Sequence, residues 1–170
     1  MKKYLYLLWF ILSAALVALD QLVKRAVSAN LAPNGVVAVW PGVFEIVYTE
    51  NRGAAFGLMQ NWRVLFLVVT ALAAAVICFV LCKRIFAHRL ADASLALVLA
   101  GALGNFIDRA INGFVVDMFY FRPIDFPVFN VADICVTCGA ALFILYYLFF
   151  SKRLIGHEPT SEGADDTGKA

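Results

Sequence analysis

Four apolar stretches dominate the chain, at roughly 4–22, 62–82, 91–111 and 132–150. Each approaches the ~20 residues that an α-helix needs to cross a bilayer, so the pattern predicts four transmembrane helices. Between the first two, over 23–61, the periodicity changes. Val36–Trp40 and Val43–Thr49 are rich in β-branched and aromatic residues and are separated by Pro41-Gly42. They predict a short hairpin-like sheet, with Trp40, Phe44 and Tyr48 suited to a membrane interface. The segment 112–131 is aromatic and broken by Pro123 and Pro127. From about His157 the chain is polar, small and partly acidic, and is expected to be disordered over 157–170. The expected class is an all-α membrane protein, with four transmembrane helices and a small extracytoplasmic β-sheet in one domain, 1–156.

Composition sharpens this. Hydrophobic residues make up 63% of the 170 and charged residues 15%, against about 45–50% apolar and about 25% charged in soluble domains. The net charge of +2 gives no electrostatic footprint for nucleic acid. The first run could open a cleavable leader, but it is long, lacks a clean A-x-A site and continues into Asp20-Gln21-Leu22-Val23-Lys24, so it is read as a retained helix. Four spans put both termini on one side. Lys2, Lys3, Lys83, Arg84, Arg89, Lys152 and Arg153 would share that side, in short segments. Their density makes it the cytoplasmic one. The four cysteines, 78, 82, 135 and 138, all lie in apolar runs and read as small buried hydrophobes. Cys135-x-x-Cys138 has no second pair and no histidine nearby, so it carries no metal or redox assignment.

Ionisable residues in or beside membrane spans are functional candidates by default. Asp20 lies near the end of span one, Asn105, Asp108 and Arg109 near the end of span three, and Asp133 at the start of span four. Successive spans alternate direction, so all of these reach one membrane face, together with Glu50, Asn51, Arg52 and Asp117. Gly101, Gly104, Asn105 and Asp108 share one helix face, and the glycines permit close approach of another helix or a substrate. Several of these residues have plain structural readings. Asp20 and Lys24 form an i, i+4 ion pair. Asp108 can pair with Arg109. Asp133 can cap span four, unless Asn130 does so and frees it. Asp117, inside Phe114-Val115-Val116-Asp117-Met118-Phe119, has no helical partner in sequence, and apolar surroundings favour its neutral form.

The motifs Asp20-Gln21-Leu22-Val23-Lys24, Asn51-Arg52-Gly53-Ala54-Ala55-Phe56-Gly57, Gly101-Ala102-Leu103-Gly104-Asn105-Phe106-Ile107-Asp108-Arg109, Val115-Val116-Asp117 and Phe129-Asn130-Val131-Ala132-Asp133 follow one another in this order. In that order the chain resembles the lipoprotein signal peptidase, or signal peptidase II, family from about residue 15 to 140. Ala100 and Met118 depart from the usual residues without removing a polar group. The resemblance implies a catalytic pair of Asp117 and Asp133. Asn51, Gly101, Gly104, Asn105, Arg109 and Asn130 would line the site, and Asp20, Lys24 and Asp108 would support it. It implies a monomeric, cofactor-free and metal-free enzyme of the bacterial cytoplasmic membrane, active at the outer face among membrane lipids. Its substrates would be diacylglyceryl-modified prolipoproteins, cut just N-terminal to the lipid-bearing cysteine. The main rival is a small transporter or proton channel, which would place polar residues near mid-membrane. A non-enzymatic scaffold using the glycine face leaves Asp117 unexplained.

Overall fold

The computed structural model describes residues 4–53, 62–86 and 88–150. The expected tail at 157–170, the motif residues 54–57 and the basic residues of both termini lie outside them. In chain order the elements are α1 (Leu5–Leu31), β1 (Val36–Trp40), β2 (Phe44–Asn51), α2 (Arg63–Lys83), α3 (Arg89–Ile111), β3 (Val115–Phe121), a 3-10 turn (Arg122–Ile124), β4 (Phe126–Phe129) and α4 (Val131–Phe150). All four helices are long and apolar enough to span a membrane. Their outward residues include Leu8, Ile11, Val68, Val69, Leu72, Val76, Phe79, Ile144 and Phe149, all exposed. An apolar exterior of this kind belongs to a multi-pass membrane protein.

Helix α3 is the centre of the bundle and packs on the other three helices. Small residues make this possible: Ala91, Ser94, Ala96, Ala100, Gly101 and Gly104 are all buried along it. A Cβ added to Gly101 would collide with the Ala132 carbonyl oxygen and come within 2.6 Å of Val136 Cγ2. Only a bare backbone lets α3 and α4 approach this closely. On the α1 side, the Ser13 hydroxyl donates to the Ala96 carbonyl at 2.8 Å. Ala74, Leu81 and Leu99 close the inner seam with Trp9, Phe10 and Leu103.

Helix α1 continues to Leu31, well past the expected end near Leu22. At 1.5 Å per residue its 27 residues span about 40 Å, more than the roughly 30 Å apolar thickness of a bilayer. The extension has its own apolar stripe. Val23, Val27 and Leu31, four residues apart, pack with Val116, Met118, Ile46 and Tyr48 of the sheet.

That sheet has four antiparallel strands in the order β1-β2-β3-β4, where the sequence predicted a hairpin. Strand β3 escapes a period-two reading because Val115, Val116, Asp117 and Met118 are all buried, so apolar residues occur on both faces. Strand β4 is short and lies at the sheet edge, where Pro127 is tolerated. Two of the three aromatics assigned to a membrane interface also make contacts within the protein. Phe44 stacks on Phe119 with ring centroids 6.0 Å apart, and Tyr48 joins the Val27 cluster, while Trp40 stays exposed. The cysteines also differ from expectation. Cys135 is buried, but Cys82 and Cys138 are exposed, and Cys138 opens on a cavity between the sheet and the helices.

Gly101→Ala is expected to destabilise the bundle by roughly 1–3 kcal/mol, because the clash is with backbone and cannot be relieved by a rotamer. A lower unfolding midpoint in detergent checks this. An unchanged midpoint would show that α3 and α4 have room to separate.

Candidate active site

Strand β3 pairs with β2, and Thr49 is the cross-strand partner of Asp117. Side chains alternate along the strand. Val116 and Met118 point to α1, while Val115 and Asp117 face a cavity of about 890 Å³. The cavity lies between the sheet and helices α2, α3 and α4. Its upper wall carries Glu50, Asn51, Arg52, Asn105, Arg109, Asp117 and Asp133. Lower down it is lined by Thr70, Val98, Gly101, Ala102, Val136, Thr137 and Cys138.

Asp133 enters from the first turn of α4. Asn130 precedes that helix, and the two residues cap it reciprocally. The Asn130 side-chain oxygen accepts from the Asp133 N–H at 2.9 Å, and Asp133 Oδ2 accepts from the Asn130 N–H at 3.1 Å. This is a capping box with Asn and Asp in its two places. The alternative of Asn130 or Asp133 as the cap is thus resolved: both take part.

The two carboxylates are joined through amides. Asn130 Nδ2 donates to Asp117 Oδ1 at 2.6 Å, and Asn51 Nδ2 donates to Asp117 Oδ2 at 2.9 Å. Asn105 Nδ2 donates to Asp133 Oδ1 at 2.8 Å. Each amide has a second partner that fixes which way round it lies. The oxygen of Asn51 accepts from the Gly53 N–H, that of Asn130 from the Asp133 N–H, and that of Asn105 from the Lys24 ammonium at 2.9 Å. Three amides are therefore locked as donors, and every oxygen of the carboxylate pair receives a hydrogen bond.

Burial pushes the Asp117 carboxyl up to about 6 from its ordinary 3.8. The Asp133 charge adds to the rise, against the pull of the Asn51 and Asn130 amides and of the Lys24 ammonium.

Asp108 and Arg109 do not pair as anticipated. Adjacent helical residues point in different directions. Asp108 turns to α1, where Oδ2 lies 2.9 Å from Lys24 Nζ. Arg109 turns to the cavity, donates to the Gly53 carbonyl at 3.0 Å and lies over the Phe66 ring at 4.8 Å. Asp20 and Lys24 form the expected ion pair at 2.9 Å. Asn51, Gly101, Asn105 and Arg109 stand on the cavity wall with both aspartates. Gly104 and Asn130 do not. Asn130 is fully buried behind the wall, and Gly104 faces α1, where an added Cβ would lie 2.7 Å from Asp20 Oδ2. Sequence reasoning passed over Gln21, whose amide donates to Asp108 Oδ1 at 2.9 Å and to the Gly104 carbonyl at 3.2 Å. Its place one residue after Asp20 was the available signal.

The profile of the signal peptidase (SPase) II family matches residues 12–149. The chain belongs to the signal peptidase II family. A lipoprotein signal peptidase of Symbiobacterium thermophilum is 41% identical over 86% of this chain and 98% of its own length. One from Clostridioides difficile is 43% identical over 86% and 99%, and one from Streptococcus thermophilus is 45% identical over 77% and 86%. The fold agrees with that of a bacterial membrane enzyme solved by the in meso method at 2.3 Å. The TM-score is 0.79, with 27% identity over 91% of this chain and 94% of the other. A second such structure, at 1.9 Å, gives 0.76 with 29% identity. Members of the signal peptidase II family process prolipoproteins, so the chain is a membrane peptidase of that class and prolipoproteins are its substrates.

The Asp117 environment has a consequence for stability. Between its unfolded value near 3.8 and about 6, the folded chain holds a proton that the unfolded chain has lost. Stability from this group therefore falls as pH rises through that window, and above it the burial costs roughly 3 kcal/mol. Unfolding midpoints of the native chain and Asp117→Ala, compared from pH 4 to 7, are expected to shift in the variant's favour as pH rises. A pH-independent difference would show that Asp117 titrates as an ordinary carboxylate.

Proposed function

We propose that this membrane peptidase is an aspartyl endopeptidase, in which Asp117 and Asp133 hydrolyse the bond just N-terminal to a diacylglyceryl-modified cysteine. The observation that carries this reading is two carboxylates on one cavity, bridged by Asn130 and held at all four oxygens by donors of fixed orientation. Two nearby carboxylates resist simultaneous ionisation and share a proton, and the raised Asp117 supports such sharing.

In this mechanism the ionised member takes a proton from water as the oxygen attacks the scissile carbonyl. The neutral member hydrogen-bonds that carbonyl and stabilises the charge that develops on its oxygen. Collapse of the tetrahedral intermediate breaks the carbon–nitrogen bond, and the pair returns a proton to the departing amine. Burial of Asp117 favours its neutral form, which marks it as the member suited to hold the proton. Arg109 and Asn105 flank the pair and orient the peptide. No metal or other cofactor takes part.

The shape of the cavity fits the substrate. Its polar end holds the carboxylates, and its apolar end runs between membrane helices. A signal peptide occupies the apolar end while its lipid chains stay in the bilayer. The chemistry lies at the edge of the membrane, which disfavours transport through the bundle. We place the protein in the bacterial cytoplasmic membrane as a monomer, with both termini cytoplasmic and the sheet and site at the outer face.

Asp117→Asn and Asp133→Asn are each expected to lower cleavage of a diacylglyceryl prolipoprotein by about 10²–10⁴-fold. Normal turnover by either variant, stably inserted, would sink the two-aspartate mechanism. For orientation, Val37→Cys on the exposed strand β1 is expected to react with a membrane-impermeant maleimide in intact spheroplasts. Labelling that requires lysis would reverse the topology.

A further inference from the structure

Lys24 is buried at 3% exposure, and its ammonium makes three contacts of 2.9 Å, to Asp20 Oδ2, Asp108 Oδ2 and Asn105 Oδ1. The other contacts of these acidic partners are distinctive. Asp20 Oδ1 accepts from the N–H of Ala132 at 2.9 Å, and Asp108 Oδ2 accepts from the N–H of Val116 at 3.2 Å. Ala132 immediately precedes Asp133, and Val116 immediately precedes Asp117. Each supporting carboxylate thus holds the peptide group one residue upstream of a catalytic one. Gln21 closes the assembly, its amide reaching both Asp20 Oδ2 at 3.3 Å and Asp108 Oδ1 at 2.9 Å.

We propose that Asp20, Gln21, Lys24 and Asp108 form a positioning clamp that sets the separation and aim of the Asp117–Asp133 pair through those two backbone N–H groups. The inference rests on the two-aspartate reading and adds a mechanical role to it. The strand bearing Asp117 and the helix bearing Asp133 have separate origins in the chain. The N–H groups of a helix's first turn have no partners within the helix, so Asp20 can hold α4 from outside without competing with its internal bonds. On the β3 side, Val116 points its side chain into the Val27 cluster, while its N–H is held by Asp108. Both contacts end on one ammonium, so a shift of either element strains the other. The third contact of Lys24, to Asn105, locks the amide that donates to Asp133. None of the four residues needs to touch the substrate.

A positioning role separates turnover from binding. For full-length protein in detergent, with a synthetic diacylglyceryl-modified prolipopeptide, Asp108→Ala is expected to lower kcat about 100-fold, the scale on which about 1 Å of misplacement acts, with KM changed less than about twofold. Asp108→Asn keeps one oxygen for both Lys24 and the Val116 N–H, and loses only the acceptor that Gln21 uses. It is expected to recover at least about tenfold of that loss. Gln21→Ala, at a partly buried side chain, is expected to lower kcat about tenfold at unchanged KM.

The clamp is overturned if either Asp108→Ala or Gln21→Ala, with a native unfolding midpoint, keeps the native kcat. It is also overturned if their losses lie in KM, or if Asp108→Asn is as impaired as Asp108→Ala. Should Asp108→Ala fail to fold, Gln21→Ala decides by the same kcat and KM criterion. Normal turnover by Asp117→Asn or Asp133→Asn would instead remove the two-aspartate reading. Inactive Asp117→Asn and Asp133→Asn alongside a fully active Gln21→Ala would remove the clamp alone.

Discussion

A buried ammonium at the edge of a membrane has to be neutralised where it stands. Taking a charge out of water costs several kcal/mol, and only close, well-directed partners offset it. Lys24 meets this constraint with Asp20 from its own helix and Asp108 from α3. Much of the upper half of the molecule is arranged around that solution. Helix α1 must stay helical past the apolar thickness to present Lys24. Helix α3 must come close enough to deliver Asp108, which its small residues permit. Gly104 provides the space that the Asp20 carboxylate needs.

The same group of charges reaches beyond itself. Three helices and the sheet meet there, and each contributes a backbone or side-chain group to it. In a bundle whose exterior is as apolar as the lipid, burial alone gives helices little reason to prefer one another. Directed polar contacts then carry much of the specificity of assembly. Here those contacts sit beside the cavity, so the features that select the fold and the features that shape the site coincide.

How much of this could be read from residues alone depends on the range of the interaction. The four spans were legible because bilayer thickness imposes a length that composition shows directly. The Asp20–Lys24 pair was legible because both residues sit one turn apart on one helix. Asp117 stood out because no local role explained it. Contacts between distant segments were not legible. Asp108 was matched to its sequence neighbour Arg109, whereas its partner is on α1. Asp20 holds the start of α4 across 112 residues, and no spacing rule reports that. Strand β3 was missed as a strand because its burial on both faces erased the alternation that marks a half-exposed strand. The extension of α1 was missed because its stripe faces a sheet that had yet to be placed.

The reciprocal cap at the start of α4 makes one turn of helix serve both the fold and the candidate site. Asp133 is at once half of the cap and half of the carboxylate pair. Asn130 is at once the other half of the cap and the bridge to Asp117. A newly inserted chain whose first turn of α4 is still frayed has both acids yet no assembled pair. Fraying of that one turn would therefore loosen the helix start and the carboxylate pair together.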